Sequence, residues 1–576
     1  MNYNVLLSYM KRFSTTSLKK HLGEELFDSL IEWEIDSPIL NSKRRISEMI
    51  LSIYGLSVLK NKDFRLDLLN SFSEREICEL AEDFVIKDHN CSDIKLVIEI
   101  IANKPWRQNP LNNRLLEMLD ILPDYMFDKT RDDEIESENI SSFDKFYELL
   151  DYQYVIRQRA LNILNSQHSL KRFLIHMPTG TGKTKTATHI ISHYYNYSLK
   201  KKGLVIWIAH TKELLQQAYD TFKGVWKNIG NGDINVYKLW GNYKPNFEET
   251  KYSGLVVCGI QKLQSIMSHD PELFQAMREN VRLIVYDEAH KATAKETKEV
   301  VNGLMNRKGG LIDRSLMGLT ATPGRTSDYS ADNNILVSMF GNKIIEVDTR
   351  LMNMINMSQQ EAANAEIETD VIQYFQKRGV LAKIEKEELR YQDSFTETEL
   401  NNLKIEMSDN GYYDFTKKAL EIIGSNKSRN LEILKKIGVL NANKVPTIVF
   451  ACSVKHGQLL SSMLTLKKIP NALVIGDMSA KEREEAIRKF KDEDSDINVL
   501  INYEVLTTGF DATNIECVFI ARPTQSVVLY SQMLGRGLRG PQMGGKEKCL
   551  LIDVKDNLRS FNENMAFSHF NNYWNL

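Results

Sequence analysis

In the run MPTGTGKT, residues 177–184, two glycines, a lysine and a threonine stand where an apolar stretch gives way to a helix-like one. The run departs from the phosphate-loop pattern G-x-x-x-x-G-K-[ST] only at its first position, where Met177 replaces glycine. Gly180 and Gly182 would let the backbone turn its N–H groups inward around phosphate oxygens. Lys183 would reach the β- and γ-phosphates of a nucleotide, and the Thr184 hydroxyl would hold Mg²⁺. The helix that begins there would offer its positive end to the same anion. A Gly-rich turn with an exposed lysine is the plain alternative, and the order strand, loop, helix argues against it.

A phosphate cradle says only that a nucleotide binds, so other residues must supply chemistry. LIVYDEAH, residues 283–290, is an apolar run that ends in two carboxylates. Asp287 would help hold Mg²⁺, directly or through water, and Glu288 would orient and polarise an attacking water. A lone Asp-Glu pair would read equally well as an acidic turn after a core strand. In GLTATPGR, residues 318–325, small hydroxyl side chains such as Thr320 and Thr322 could link a γ-phosphate site to a neighbouring lobe, although taken alone the segment is an ordinary turn. The carboxamide of Gln158, upstream of the loop, could read adenine through N6 and N7; an exposed helix glutamine is the bland reading. Arg536 and Arg539, in YSQMLGRGLRG, are three apart and would share one face of a helix. Facing the phosphate loop, they would stabilise charge developing on a transferred phosphoryl group.

The elements that must position these residues alternate between β-rich runs and helical ones. From about 145 to 350 the runs FLIHM, GLVIWIA, GLVVCGI, RLIVYDEAH, LMGLTAT and KIIEVD are separated by helix-like stretches, which predicts a parallel sheet covered by helices on both faces. From 426 to 576 a second series follows, in TIVFAC, ALVIG, INVLINY, CVFIAR and KCLLIDV. The stretch 351–425 reads as a helical connector between them, with QYFQKRGVLAKIEKEEL as an example. Residues 1–140 read as a helical accessory domain. Its segments SLKKHLGEELFDSLIEWEI and SEREICELAEDFVIKDH repeat apolar residues every three or four positions behind a serine cap. The acidic, aperiodic RDDEIESENISS, residues 131–142, reads as a linker.

Composition fits a large chain of several domains: 576 residues, 42% hydrophobic and 26% charged. No run of about eighteen apolar residues is present, so no membrane span is expected, nor does the start carry a secretory signal. Six scattered cysteines read as reduced core residues of a cytoplasmic protein, and dispersed histidines leave no metal site built wholly from protein ligands. The net charge of −2 is uneven. Residues 1–150 carry 19 Lys/Arg against 28 Asp/Glu, while the rest carries 55 against 48. The positive excess in the motif-bearing part permits a nucleic-acid track, and the acidic N-terminal part is poorly suited to lie along phosphates.

In their order, these runs resemble superfamily 2 helicases and translocases. MPTGTGKT is similar to motif I, IAHTKELLQQA to Ia, VVCGIQKL to Ic, YDEAH to II and LTATPGR to III. In the second series TIVFACSVKHGQLLSSML is similar to motif IV, NYEVLTTGFD to V and SQMLGRGLR to VI. The look of TTGFD, FIARPT and QMLGRGLRG is nearest to motor subunits of type I and III restriction enzymes and to helicases of bacterial phage-defence loci.

The resemblance implies an α/β protein of two tandem RecA-like lobes, ATP and Mg²⁺ as cofactors, and nucleic acid as partner. It implies nucleotide contacts at Thr179, Thr181, Gly509 and Asp511 beside those above, and catalytic roles for Gln532, Arg536 and Arg539. It further implies backbone contacts at Thr211, Lys212, Gln261, Thr507 and Thr508, and coupling through His290, Thr320 and Thr322. The D-E-A-H box, and Gln532 where RNA-remodelling relatives have histidine, favour DNA over RNA. An RNA helicase of the same fold and an ATP-switched sensor that signals to a partner remain alternatives. No convincing nuclease motif accompanies the others, so cutting would fall to a separate subunit; residues 1–140 are expected either to dock such a partner or to regulate the lobes.

Overall fold

The computed structural model describes residues 3–32, 40–82, 93–127, 136–142, 148–167, 170–247, 252–305, 314–324, 330–356, 370–392, 405–407, 413–506, 512–524 and 526–556. Eight strands build the first sheet: Ser137–Ile140 (β1), Arg172–His176 (β2), Leu204–Ala209 (β3), Ile234–Leu239 (β4), Gly254–Gly259 (β5), Val281–Asp287 (β6), Ser315–Thr320 (β7) and Ile344–Ile345 (β8). Their order is β1-β4-β5-β3-β6-β7-β2-β8, and every pairing is parallel except β1 with β4. Central strands such as β3, β5 and β7 are buried along their whole length, which is why they read as unbroken apolar runs.

The second sheet uses Lys383–Leu389 (β9), followed in the chain by a hairpin of Ile405–Met407 (β10) and Tyr413–Phe415 (β11), which stands apart as its own ribbon. Thr447–Phe450 (β12), Asn471–Val474 (β13), Val499–Asn502 (β14), Cys517–Ile520 (β15) and Lys548–Val554 (β16) complete it. The order is β13-β14-β12-β15-β16-β9, all parallel. The expected two-lobe α/β architecture is therefore present.

Several boundaries differ from the sequence reading. β1 falls inside the expected linker and pairs antiparallel with β4, itself not anticipated, so the first lobe begins at Ser137. The stretch 351–425 is not a purely helical connector. A helix spans Val371–Lys377, Gly379 turns the chain at φ +66°, and KIEKEEL continues as β9, the edge of the second sheet. Lys, Glu and Leu are good helix formers, but charges along an edge strand are also how a sheet guards its open side, and pairing with β16 decides the matter here.

The described residues between 4 and 118 are mainly helical as expected, with refinements. The long first segment is two helices, Thr15–Leu22 and Glu24–Glu32, parted by Gly23 at φ +102°, and the cap is Ser14, not Ser17. Ser73 caps Glu74–Glu82 reciprocally with Glu76. This domain packs on the second lobe. Helix Lys43–Tyr54 lies against helix Val454–Leu466 and strand β13, and the two share one continuous core that includes Ile50, Leu56, Leu460 and Leu464. Leu56 N donates to buried Glu482 at 2.6 Å, and Ser479 Oγ donates to Tyr125 O at 2.8 Å. The chain thus touches the second lobe before entering the first.

Candidate active site

β2 ends at His176, and the next residues form the phosphate loop that leads into helix Lys183–His193. Gly180 (φ +87°) and Gly182 (φ +81°) hold left-handed conformations that a side chain would strain. Lys183 opens the helix, and its Nζ donates back to the carbonyls of Met177 (3.2 Å) and Pro178 (3.3 Å). Thr184 is half-buried beside it. Thr181 is buried, its Oγ1 donating to Pro178 O at 2.8 Å.

Asp287 ends β6, two strands away in the sheet, and Glu288 follows in the left-handed region (φ 52°, ψ 56°). That conformation costs a non-glycine residue about 1–3 kcal/mol. It turns the carboxylate pair at the strand's C-terminal edge, where Glu288 N donates to Asp287 Oδ1 at 3.0 Å. Burial, reinforced by the neighbouring Glu288 charge, pushes Asp287 up to about 7 against the pull of Lys183. Burial likewise lowers Lys183, against the attraction of Glu288 and Asp287, with Arg536 and Arg539 adding to the lowering. Two carboxylates and three cations from both lobes therefore form one electrostatic cluster.

His290, Thr320 and Thr322 join in a buried chain. Thr320 Oγ1 donates to Thr322 O (2.7 Å) and accepts from Thr322 N (3.1 Å). With that proton used, His290 Nδ1, 3.2 Å away, must be the donor to Thr320 Oγ1. The same nitrogen is 3.4 Å from Glu288 Oε2. The ends of β6 and β7 are tied together at the carboxylate.

The second lobe closes directly on the loop. A Cβ on Gly535 would lie 2.5 Å from Thr179 Cγ2, and one on Gly180 would lie 3.5 Å from Arg539 Cγ. The arginines do not share a helical face as expected: helix Val527–Leu534 stops at Gly535, Arg536 lies in the turn and Arg539 bridges to Leu381 in extended backbone. Gly535 and Gly537 end the helix where close approach leaves no room for side chains. Both arginines still act on Lys183. Gln532, within that helix, is buried, and its Nε2 has no hydrogen-bond partner among the described residues.

Gln158 is not brought to the loop; its amide donates to Tyr154 Oη on the same helix, Asp151–Asn165. The glutamine at the loop is Gln153, overlooked in the sequence. It is buried, donates to Thr181 O at 3.0 Å, and accepts from Leu150 N at 3.1 Å. Tyr152 Oη reaches the same carbonyl at 2.8 Å. Its place in the first turn of the helix, ahead of the apolar stripe, was the available signal. Thr507, Thr508, Gly509 and Asp511 lie outside the described residues.

Thr211 caps helix Lys212–Ile229, accepting from Leu214 N at 3.3 Å. Lys212 and Gln261 are both exposed. Lys212 Cε would sit 3.7 Å from a Cβ on Gly241, whose carbonyl accepts from Lys262 Nζ at 3.0 Å. Glu213, the next residue, pairs at 2.7 Å with Arg483 of the second lobe. Among the described residues no cluster of three His, Cys, Asp or Glu could hold a metal, and no helix is long and apolar enough to cross a membrane.

Two family models match, one on each lobe: "Type III restriction enzyme, res subunit" over residues 146–325 and "Helicase conserved C-terminal domain" over 429–540, together just over half the chain. This chain belongs to the superfamily 2 helicases, related to restriction-enzyme Res subunits. It is 26% identical to the "Putative ATP-dependent helicase IRC3" of Saccharomyces cerevisiae over 414 residues, 70% of this chain and 51% of the relative. It is 22% identical to the "ATP-dependent DNA helicase uvsW" of Enterobacteria phage T4 over 414 residues, 70% of this chain and 69% of the relative. A fragment structure of a putative HsdR subunit of a type I restriction enzyme from Vibrio vulnificus overlaps 77% of this chain and 69% of that one, at 19% identity and a TM-score of 0.45. The chain spans about half the length of the yeast helicases it matches.

Proposed function

We propose that this chain hydrolyses ATP to drive movement along nucleic acid, with DNA as the favoured track. The observation that carries the reading is the packing of the arginine-bearing turn of one lobe on the phosphate loop of the other. A nucleotide bound there touches both lobes, so binding and hydrolysis alternately join and release them.

In this reading Lys183 and the backbone of 179–182 hold the phosphates, and Gln153 stands where a base would enter. Glu288 orients the water that attacks the γ-phosphorus. As the bond to the ADP oxygen breaks, Arg536 and Arg539 stabilise the charge that accumulates. Gln532, with its buried orphan amide, gains an acceptor in a phosphate oxygen. The Thr184 hydroxyl and the Asp287 carboxylate are hard oxygen donors suited to Mg²⁺ shared with phosphates, and Asp287, raised by burial, is a carboxylate that gains from a cation. Bound there, the ion would neutralise phosphate charge.

Thr211, Lys212 and Gln261, exposed or capping at one edge of the first lobe, are the proposed phosphate contacts. They read no base, so binding tolerates many sequences. A relative named as a DNA helicase supports DNA, and the match to a Res-subunit model supports a restriction motor as its setting. Described helices between residues 4 and 118 share a core with the second lobe, so a separate effector docked there draws no support from them. An ATPase panel with no nucleic acid, single-stranded, duplex and forked DNA, and RNA tests the reading. DNA should raise turnover above RNA and above the unstimulated rate; equal turnover in every arm would overturn it.

A further inference from the structure

β3 and β6 are adjacent and in parallel register, with Ile208 opposite Tyr286. The chain leaving β3 is thereby placed beside the turn leaving β6. Tyr286 Oη and His210 Nε2 are 2.7 Å apart, with the two rings edge to face at 5.8 Å between centroids. Tyr286 is deeply buried, and Thr297 supplies its hydroxyl with a second partner. His210 faces the Glu288 turn, where His290 and Lys291 act on it from one side and Glu288 from the same loop. Burial first, then the neighbouring Lys291 and His290, pushes the imidazole down to about 3, so it is neutral at physiological pH and the contact is a neutral hydrogen bond.

The two partners stand at a junction of the proposed functions. His210 immediately precedes Thr211, the cap of helix Lys212–Ile229. Tyr286 immediately precedes Asp287 and Glu288. Glu288 sits there in a left-handed conformation that its surroundings must hold in place. A shift at the start of helix Lys212–Ile229 would reach that turn through a single hydrogen bond between two packed rings.

We infer that His210 is a positioning residue which, through Tyr286, transmits occupancy of the nucleic-acid edge at Thr211 and Lys212 to the Glu288 turn. The inference rests on the nucleic-acid motor reading above and names a route by which the track stimulates hydrolysis. The contact itself needs no proton uptake, so the coupling should not depend on pH between 6 and 9 through this histidine.

The test compares His210→Ala, His210→Gln and Tyr286→Phe with the unaltered chain, measuring kcat and KM for ATP with and without duplex DNA, and DNA affinity in parallel. Unstimulated kcat and KM should stay near the unaltered values in all three. Stimulated kcat should fall about tenfold in His210→Ala and Tyr286→Phe, a size typical of coupling residues, while DNA affinity is retained. His210→Gln keeps an amide able to meet the Tyr286 hydroxyl and should recover most of the stimulation. If the unaltered chain is stimulated and Tyr286→Phe is stimulated equally, this inference is wrong and the motor reading stands. Parallel loss of stimulated and unstimulated turnover would also overturn it, as a merely structural role. If no nucleic acid stimulates the unaltered chain, the motor reading fails and this inference with it.

Discussion

Asp287 and Glu288 are adjacent carboxylates with different surroundings, and the difference sorts their roles. Asp287 is fully enclosed and pushed up to about 7 by burial, so it gains most from a nearby cation. Glu288 is turned out by its left-handed backbone, within reach of His290. A carboxylate there can polarise water, and its amide cannot. Glu288→Gln should therefore bind ATP with nearly unchanged affinity yet hydrolyse at least about a hundredfold more slowly. Fluorescent-nucleotide titration beside a turnover assay checks both halves. Retention of a tenth or more of the normal rate would remove Glu288 from the proposed role.

At the scale of elements, the site depends on how closely the turn after helix Val527–Leu534 can approach the phosphate loop. Gly535 permits that approach, since a Cβ there would lie 2.5 Å from Thr179 Cγ2. Gly535→Ala should hold the lobes apart and lower DNA-stimulated turnover by at least about tenfold, while circular dichroism and ATP binding by the first lobe change little. Unchanged turnover would mean that this contact is not needed for closure. The same turn shows what a sequence discloses. MPTGTGKT and YDEAH announce themselves because their chemistry is local: loop, helix start and strand end lie within a few residues. Arg536 and Arg539 were recognisable as residues, but their geometry was not, because a long-range contact with Thr179 decides where the helix stops. Gln153 and Gln158 sit in one helix, and only the fold shows which of them meets Thr181 O. β9 looked helical because its Lys and Glu content suits a helix; its pairing with β16, distant in sequence, overrides that preference.

Across the whole molecule, the N-terminal helices are a built-in part of the second lobe, although they precede the first. Helix Ala480–Lys491 shows the arrangement most clearly. Glu482 accepts the buried Leu56 N–H and closes its own cap with Ser479, while the adjacent Arg483 reaches across to Glu213 of the first lobe. Glu482→Ala would strand the Leu56 N–H and open the cap, costing about 2 kcal/mol. Urea unfolding measures this, and a change below about 0.5 kcal/mol would mean that the N-terminal domain is not held there. The central claim, that two lobes share one hydrolytic site driven by nucleic acid, is tested most directly by Arg539→Ala. This arginine belongs to the second lobe but packs on Gly180 of the first. ATP turnover of the variant should lose its stimulation by DNA while ATP binding and the unfolding profile are preserved; stimulated turnover equal to that of the unaltered chain would contradict the account.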